Sequence, residues 1–459
     1  MIHRSFFEKG WRNRHPFLLL FLIASCAQPR RPAPIAAPAA QTLSSACSSS
    51  DPRSSRFRAD PVESGLPVRG QWRDGFDVAD MNGDGFLDVV HGPPRKGNFT
   101  PAIFLGDGRG HFSLWKTAHY PPRPLDYGDT KAGDFNGDGM MDFAVSSHLL
   151  GLTVLISEGN GFYAPWSSGL ESTPKTPTEP RGFSSRSIAV TDWNHDGKPD
   201  LLALNEGISR MAVRAPSMTA ADQPPPPPDG VVLFFNRDGE WERMIPNQPL
   251  SVFGTSLAAG DINGDRYADA LVGSSISGMR RLVLLGRRGS WTTHVIQSTP
   301  ENASVTAVAL NDFDRDARDE LILGMRFPDS SDHCSALDVV KWSLTNETPH
   351  RLWSERSQDS IVAAAIADLD RDLLDDLIVL RNEGSIMIFA RTPDGFTRDL
   401  TIQRPDWLAG CNGYDLHVAD IDGDERSEII VSYAGERTMA GTRCESGGGF
   451  AVWRVLPSR

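Results

Sequence analysis

The stretch Phe76-Asp77-Val78-Ala79-Asp80-Met81-Asn82-Gly83-Asp84-Gly85-Phe86-Leu87-Asp88-Val89-Val90 decides the fold. A short apolar run enters a loop with a carboxylate or amide at positions 1, 3, 5 and 9, and a second apolar run leaves it. Short runs of this composition on either side of a tight return predict an antiparallel strand pair. Six further copies follow in the chain. They place Asp134, Asn136, Asp138 and Asp142, then Asp192, Asn194, Asp196 and Asp200, then Asp261, Asn263, Asp265 and Asp269 at the same four positions. The last three copies place Asp312, Asp314, Asp316 and Glu320, then Asp368, Asp370, Asp372 and Asp376, then Asp420, Asp422, Asp424 and Glu428.

From one first aspartate to the next the steps are 54, 58, 69, 51, 56 and 52 residues, the length of a four-stranded propeller blade with generous loops. The expectation is an all-β chain folded as a seven-bladed β-propeller, each loop joining the first and second strands of its blade. A third apolar run often ends in a Gly-rich turn, as Ile103-Phe104-Leu105 does before Gly106-Asp107-Gly108. Only 31 residues follow Glu428, enough for two strands of the last blade beyond the one at 416–419. The missing outer strand is therefore expected from 56–62, which would close the ring and pair its open edges. Helical calcium loops do not fit: an EF-hand needs an acid at position 12 and flanking helices, whereas these loops end at position 9 and run into short stretches of Val, Ile and Leu.

A ring of about 400 residues uses the chain from 56 to 459 and leaves no second globular domain. The amino terminus reads differently. Arg4, Lys9, Arg12 and Arg14 precede Pro16-Phe17-Leu18-Leu19-Leu20-Phe21-Leu22-Ile23-Ala24, too short for a permanent membrane helix, so 1–25 is expected to be a signal peptide. Its end, Leu22-Ile23-Ala24-Ser25-Cys26, resembles the lipobox of bacterial lipoproteins. That resemblance implies lipidation of Cys26, export, and membrane anchoring through the lipid alone, at the outer membrane or cell surface given Ala27 after the cysteine. Residues 26–55, rich in Pro, Ala and Ser, are expected to form a tether. Four more cysteines suit an oxidising compartment; Cys411 with Cys444 is the expected disulfide, clamping the last blade, and the partners of Cys47 and Cys334 stay open.

Side-chain oxygens at alternate positions of a tight loop converge on one centre, and the carbonyl of position 7 adds another, which is how calcium is bound. The position-7 residues are Phe86, Met140, Lys198, Tyr267, Arg318, Leu374 and Arg426. Oxygen ligands without Cys or His argue against zinc or copper. The formal charge of −13, or −16 once the basic leader is removed, is largely accounted for by up to seven such loops, and no basic stripe suggests nucleic acid. Gly85, Gly139 and Gly197 at position 6 mark the three loops expected to bind best. The fourth and seventh keep only Gly264 and Gly423 at position 4, and the fifth and sixth have neither glycine.

These loops, followed by Leu-Asp-Val-Val, Asp-Phe-Ala-Val, Asp-Leu-Leu-Ala and Ala-Asp-Ala-Leu-Val-Gly, resemble the FG-GAP or VCBS repeats of integrin α-subunit propellers and many bacterial surface proteins, from about residue 70 onward. The resemblance implies a seven-bladed ring with calcium loops on one rim, the same positions serving as ligands. Arg266 and Ala317 at position 6, and Glu320 and Glu428 at position 9, depart from the pattern.

Metal in such loops is structural, so function is expected on the opposite face, where the loops after each second strand gather. There lie His91, Arg95, His148, Asn205, Glu206, Arg210, Arg326, His333, Arg381, Glu383, Tyr433 and Arg437, with His91, His148, Arg326, Arg381 and Tyr433 as leading ligand-face candidates. His91 and His148 occupy comparable positions in adjacent blades and hint at a catalytic or metal pair, although exposed loop histidines are the plainer reading. No nucleophile elbow, paired glycosidase acids or zinc signature is present. The expected function is a monomeric calcium-binding surface propeller that recognises a protein or carbohydrate ligand. The alternative is a polysaccharide lyase or hydrolase working on that same face.

Overall fold

The computed structural model describes residues 55–97, 99–122, 124–148, 150–170, 183–206, 230–244, 250, 252–274, 281–296, 303–327, 334–343, 346–435 and 443–458. Seven four-stranded antiparallel sheets follow one another along the chain. Six take their strands consecutively, spanning 76–114, 130–165, 185–243, 256–295, 304–357 and 361–402. Each is a propeller blade.

The acidic loops set the register of every blade in the same way. In blade 1 Ala79 pairs with Asp88, and the corresponding pairs are Gly133 with Asp142, Thr191 with Asp200, and Gly260 with Asp269. Blades 5 to 7 repeat it with Asn311 and Glu320, Ala367 and Asp376, and Ala419 and Glu428. The residue before position 1 always faces position 9, so the loop between them is the whole strand connection.

The seventh blade combines Asn412–Ala419, Glu428–Ala434 and Gly448–Pro457 with the first strand of the chain, Phe57–Val62. The pairing runs antiparallel from Phe57 opposite Pro457 to Val62 opposite Val452. Closure at 56–62 thus satisfies the edges that a linear row of blades would leave open. Cys411 and Cys444 form a disulfide in this blade, and Cys334 is also disulfide-bonded.

Second and third strands are buried on both faces, as in Asp142–Ser147 and Val231–Asn236, where every residue is buried. Their side chains interlock between neighbouring blades. Phe135 and Ala144 pack with Leu201 and Phe234, and Phe76 and Val89 pack with Ile430 and Phe450 across the closing seam. A fully buried Phe at such a seam contributes about 1.5–3 kcal/mol of transfer free energy. First strands bear small residues such as Ala363, Ala364 and Ala365, which leave room for a central channel.

Candidate functional site

In each acidic loop the position-1 aspartate organises the turn. Asp80 Oδ1 accepts the backbone N–H of Gly83 at 2.7 Å and of Asp84 at 3.1 Å, while Oδ2 accepts that of Gly85 at 2.8 Å. Such a turn requires left-handed backbone at positions 4 and 6, which Gly83 and Gly85 supply at φ 75° and 88°. The loops lacking these glycines adopt the same conformation regardless. Arg315 and Ala317 of the fifth loop, and Arg371 and Leu373 of the sixth, have φ between 60° and 69°. Missing glycine therefore did not change the turn, only its strain.

The position-9 acids are buried against the backbone. Asp88 Oδ2 accepts the N–H of Met81 and Oδ1 that of Gly106 on the third strand, both at 2.8 Å. Burial raises these carboxyls to about 6 for Asp88, Asp142 and Asp200, and to about 7 for Asp269, Asp376 and Glu428. Buried carboxylates in such positions are stabilised in their charged form by a cation beside them. Ligand oxygens of Asp312, Asp314 and Asp316 lie within 4.8 Å of one another, as do those of Asp368, Asp370 and Asp376, and of Asp420, Asp422 and Glu428. In the third loop the buried side-chain amide of Asn194 has no hydrogen-bond partner at either atom. Oxygen-only donor sets of this kind match a hard cation such as calcium, although in the fifth and seventh loops a basic side chain already lies among the acids, Lys341 at 2.7 Å from Asp316 and Arg454 Nε at 3.2 Å from Glu428.

The opposite face differs from its expected composition. His91 is fully buried, edge-on to Trp72 at 5.2 Å and to Phe450 at 5.9 Å, with Nδ1 bonded to the carbonyl of Gly92 at 2.7 Å. Burial pulls its pKa down to about 4, so it is a neutral core histidine and not a ligand-facing one. Tyr433 is likewise buried and donates to the Gly384 carbonyl at 3.0 Å. Arg381 is held within its own turn by Ser385 at 2.6 Å and Glu383 at 2.8 Å, whereas Arg326 is exposed at the end of its strand. His91 and His148 do not form a pair. His148 stacks on Tyr127 with ring centroids 4.8 Å apart and bonds through Nδ1 to Glu206. Arg210, His333, Arg437, Cys26 and Cys47, together with the expected leader and most of the tether, lie outside the described residues.

A cluster that sequence reading missed lies at the mouth of the central channel, a cavity of about 630 Å³ lined by first-strand residues. Blades 4 to 6 give it small and apolar residues such as Leu257, Ala307 and Val362, and blades 7 and 1 to 3 give it charge. Arg186 is 2.7 Å from Glu206 and 3.4 Å from Asp74, and Lys131 is 3.1 Å from Asp129. His417 is 3.5 Å from Asp415. Three carboxylates also staple successive blades: Asp415 accepts the N–H of Phe76, Asp77 that of Ala132 and Asp129 that of Ile188, at 3.2, 2.8 and 3.0 Å.

Two groups at the mouth each keep one polar atom unmet, Asp74 Oδ2 and Arg73 Nε. Asp74 adopts left-handed backbone at φ 64°, and its buried Oδ2 has no hydrogen-bond partner. Burial raises its carboxyl despite the opposing pull of Arg186 and Arg73. Beside it the Arg73 guanidinium lies 4.9 Å from the Tyr414 ring centre and 5.5 Å from that of Tyr127, with Nε unbonded. A strained residue with an unmet acceptor in a cavity marks a place where a ligand can bind.

Fold and loop geometry together define the class of protein, a seven-bladed β-propeller. Within that class, residues 80–145 and 134–203 match the FG-GAP-like repeat, and residues 253–278 match the FG-GAP repeat. No curated protein matches the sequence. Among solved structures, BBS1N in complex with ARL6DN is similar at 12% identity over 87% of this chain and 98% of that one, with a TM-score of 0.53. The periplasmic gluconolactonase PpgL of Pseudomonas aeruginosa is 17% identical over 72% of this chain and 84% of its own, with a TM-score of 0.45. The likeness to BBS1N is one of fold.

Proposed function

We propose that the chain is a calcium-stabilised, membrane-anchored propeller that binds a carbohydrate chain end at the mouth of its central channel. The free Oδ2 of Asp74, whose Oδ1 meets Arg186, set beside the Arg73 guanidinium, is the observation behind this reading. Sugar hydroxyls donate and accept at once, and so meet an acid and a base placed side by side. Tyr414 and Tyr127 offer ring faces for sugar C–H groups, and about 630 Å³ has room for one or two sugar units. Calcium in the acidic loops would hold the blades, and Cys26 would hold the protein to a bacterial membrane. Glycan-array and calorimetric binding of the purified protein test the ligand. Saturable binding weakened at least tenfold in Asp74→Asn is expected, and a folded protein that binds no glycan would refute the reading. Release of the protein from membranes by Cys26→Ser tests the anchor, and continued membrane association in that variant would count against it.

A protein ligand is favoured by a different observation. Val68 and Trp407 line one hollow with Arg69 and Glu445, and are 57% and 43% exposed, large apolar groups left in contact with solvent. Loss of partner binding in Trp407→Ala with glycan binding intact would establish this second surface. The polysaccharide-active enzyme remains a third reading through His148, which Glu206 orients. Turnover abolished by His148→Ala would replace the binding reading with it.

A further inference from the structure

The loops do not all stand open to an ion from solution. Position 3 is asparagine in the first four loops and aspartate in the last three, which gives the fifth, sixth and seventh one more carboxylate each. In all three, a basic side chain from elsewhere in the ring reaches that extra acid. Lys341 is 2.5 Å from Asp314, Arg56 is 3.2 Å from Asp370, and Arg454 contacts Asp422. In the first, second and fourth loops the asparagine amide instead donates to the position-5 aspartate, from Asn82 to Asp84, Asn136 to Asp138 and Asn263 to Asp265.

The fifth and seventh loops go further. Lys341 Nζ also lies 2.7 Å from Asp316 and 3.2 Å from Glu320, so one ammonium touches the acids of positions 3, 5 and 9 together. Arg454 spans Asp422 at position 3 and Glu428 at position 9, with Nε 3.2 Å from Glu428. These are also the two loops whose position-9 acid is glutamate rather than aspartate. In blade 7 Glu428 faces Arg454 directly across the sheet, and in blade 5 the pair Leu321 and Val340 brings Lys341 opposite Glu320. A longer acid and a long base in register close on the loop's centre, where three converging oxygens would otherwise hold metal. Arg56 reaches Asp370 and stands 3.9 Å from Asp372, so the sixth loop keeps its position-9 acid uncommitted to a base.

We infer that Lys341 and Arg454 are the resident cations of the fifth and seventh loops, which therefore take no calcium, so the ring holds at most five ions. The inference rests on the calcium reading for the other loops. It also means that blade 7, where Gly448–Pro457 carries Arg454 and pairs with the closing strand, is fastened without metal.

The full chain and its Lys341→Met and Arg454→Met variants are compared by native mass spectrometry with calcium, and by thermal unfolding in excess chelator and in excess calcium. Wild type is expected to bind no more than five calcium ions. Each variant is expected to gain one ion, to melt several degrees below wild type in chelator, and to recover in calcium. More than five ions on wild type, or a variant that melts as wild type does in chelator, would overturn the inference. So would a variant destabilised in chelator that neither gains an ion nor recovers with calcium, provided wild type binds some. If wild type and both variants bind no calcium at all, the calcium reading fails, while a chelator-state loss in both variants still supports the two side chains as the loop cations. Asp314→Asn with Lys341→Met separates the pair from a folding defect: the double variant should lose little more than Lys341→Met alone.

Discussion

The carboxylate of Asp399, on the outer strand of blade 6, accepts the backbone N–H of Phe57 at 3.0 Å and that of Arg56 at 2.8 Å. It thereby clamps the start of the closing strand to the blade before the one that strand completes, and Ser55 adds a hydroxyl donor at 2.7 Å. Asp399 is buried, and its removal takes this acceptor from the Arg56 amide and leaves the Phe57 amide only the Ser55 hydroxyl at 3.1 Å. Asp399→Ala is expected to destabilise the ring by about 2–3 kcal/mol, the cost of losing charge-assisted bonds at a buried site. Denaturant unfolding followed by tryptophan fluorescence measures it, and a change below half a kcal/mol would show that the seam is held elsewhere.

Cys411 and Cys444 are separated by 33 residues and join the entry of blade 7 to the turn before its third strand. A cross-link of that span restricts the unfolded chain by about 3–4 kcal/mol. Replacing both with serine should lower the thermal midpoint by several degrees, and reduction of wild type, which also breaks the Cys334 disulfide, should lower it at least as far. A midpoint unmoved by reduction would mean that the last blade does not need its clamp.

His91 makes stability depend on pH in a defined window. Its folded pKa of about 4 lies below the ordinary 6.5, so between these values the unfolded chain binds the proton that the folded chain refuses. Stability from this group is complete above pH 6.5, falls as pH drops toward 4, and levels off below. The difference of roughly 2.5 pH units corresponds to about 3 kcal/mol. His91→Leu should flatten that part of the stability profile whatever its absolute stability. An unchanged slope between pH 6.5 and 4 would place the acid sensitivity in other groups.

How far the sequence could be read follows from what repeats and what does not. The acids at positions 1 and 9 recur in every blade with the same backbone duties, as Asp80 and Asp88 do, so period and alternation reveal them. The closing strand was legible because 31 residues after Glu428 cannot supply three strands. His91 was misplaced because position along a strand says nothing about what covers it. Trp72 precedes the first blade and Phe450 belongs to the last, and only ring closure brings both onto the imidazole. The channel mouth was hidden for a related reason. Arg73, Asp129, Arg186 and Asp415 come one or two to a blade with no shared motif, and the circular arrangement alone assembles them.

Leu373 offers a test of strain in the loops themselves. It occupies position 6 of the sixth loop at φ 69°, and its side chain is 71% exposed, so the residue bears the conformational cost of the turn with little packing in return. Left-handed backbone costs a residue with a β-carbon about 1–2 kcal/mol, whereas glycine adopts it freely. Glycine also loses more freedom on folding, by roughly 0.5–1 kcal/mol. The relief exceeds that loss, so Leu373→Gly should stabilise the protein by about 0.5–1 kcal/mol, against the usual direction for glycine substitutions. The same exchange at position 6 of the first loop, Gly85→Leu, should destabilise by a similar or larger amount. Chemical denaturation of both variants in chelator isolates the backbone effect from any bound ion. A destabilised Leu373→Gly would mean that the sixth loop does not hold the left-handed turn it shares with the first.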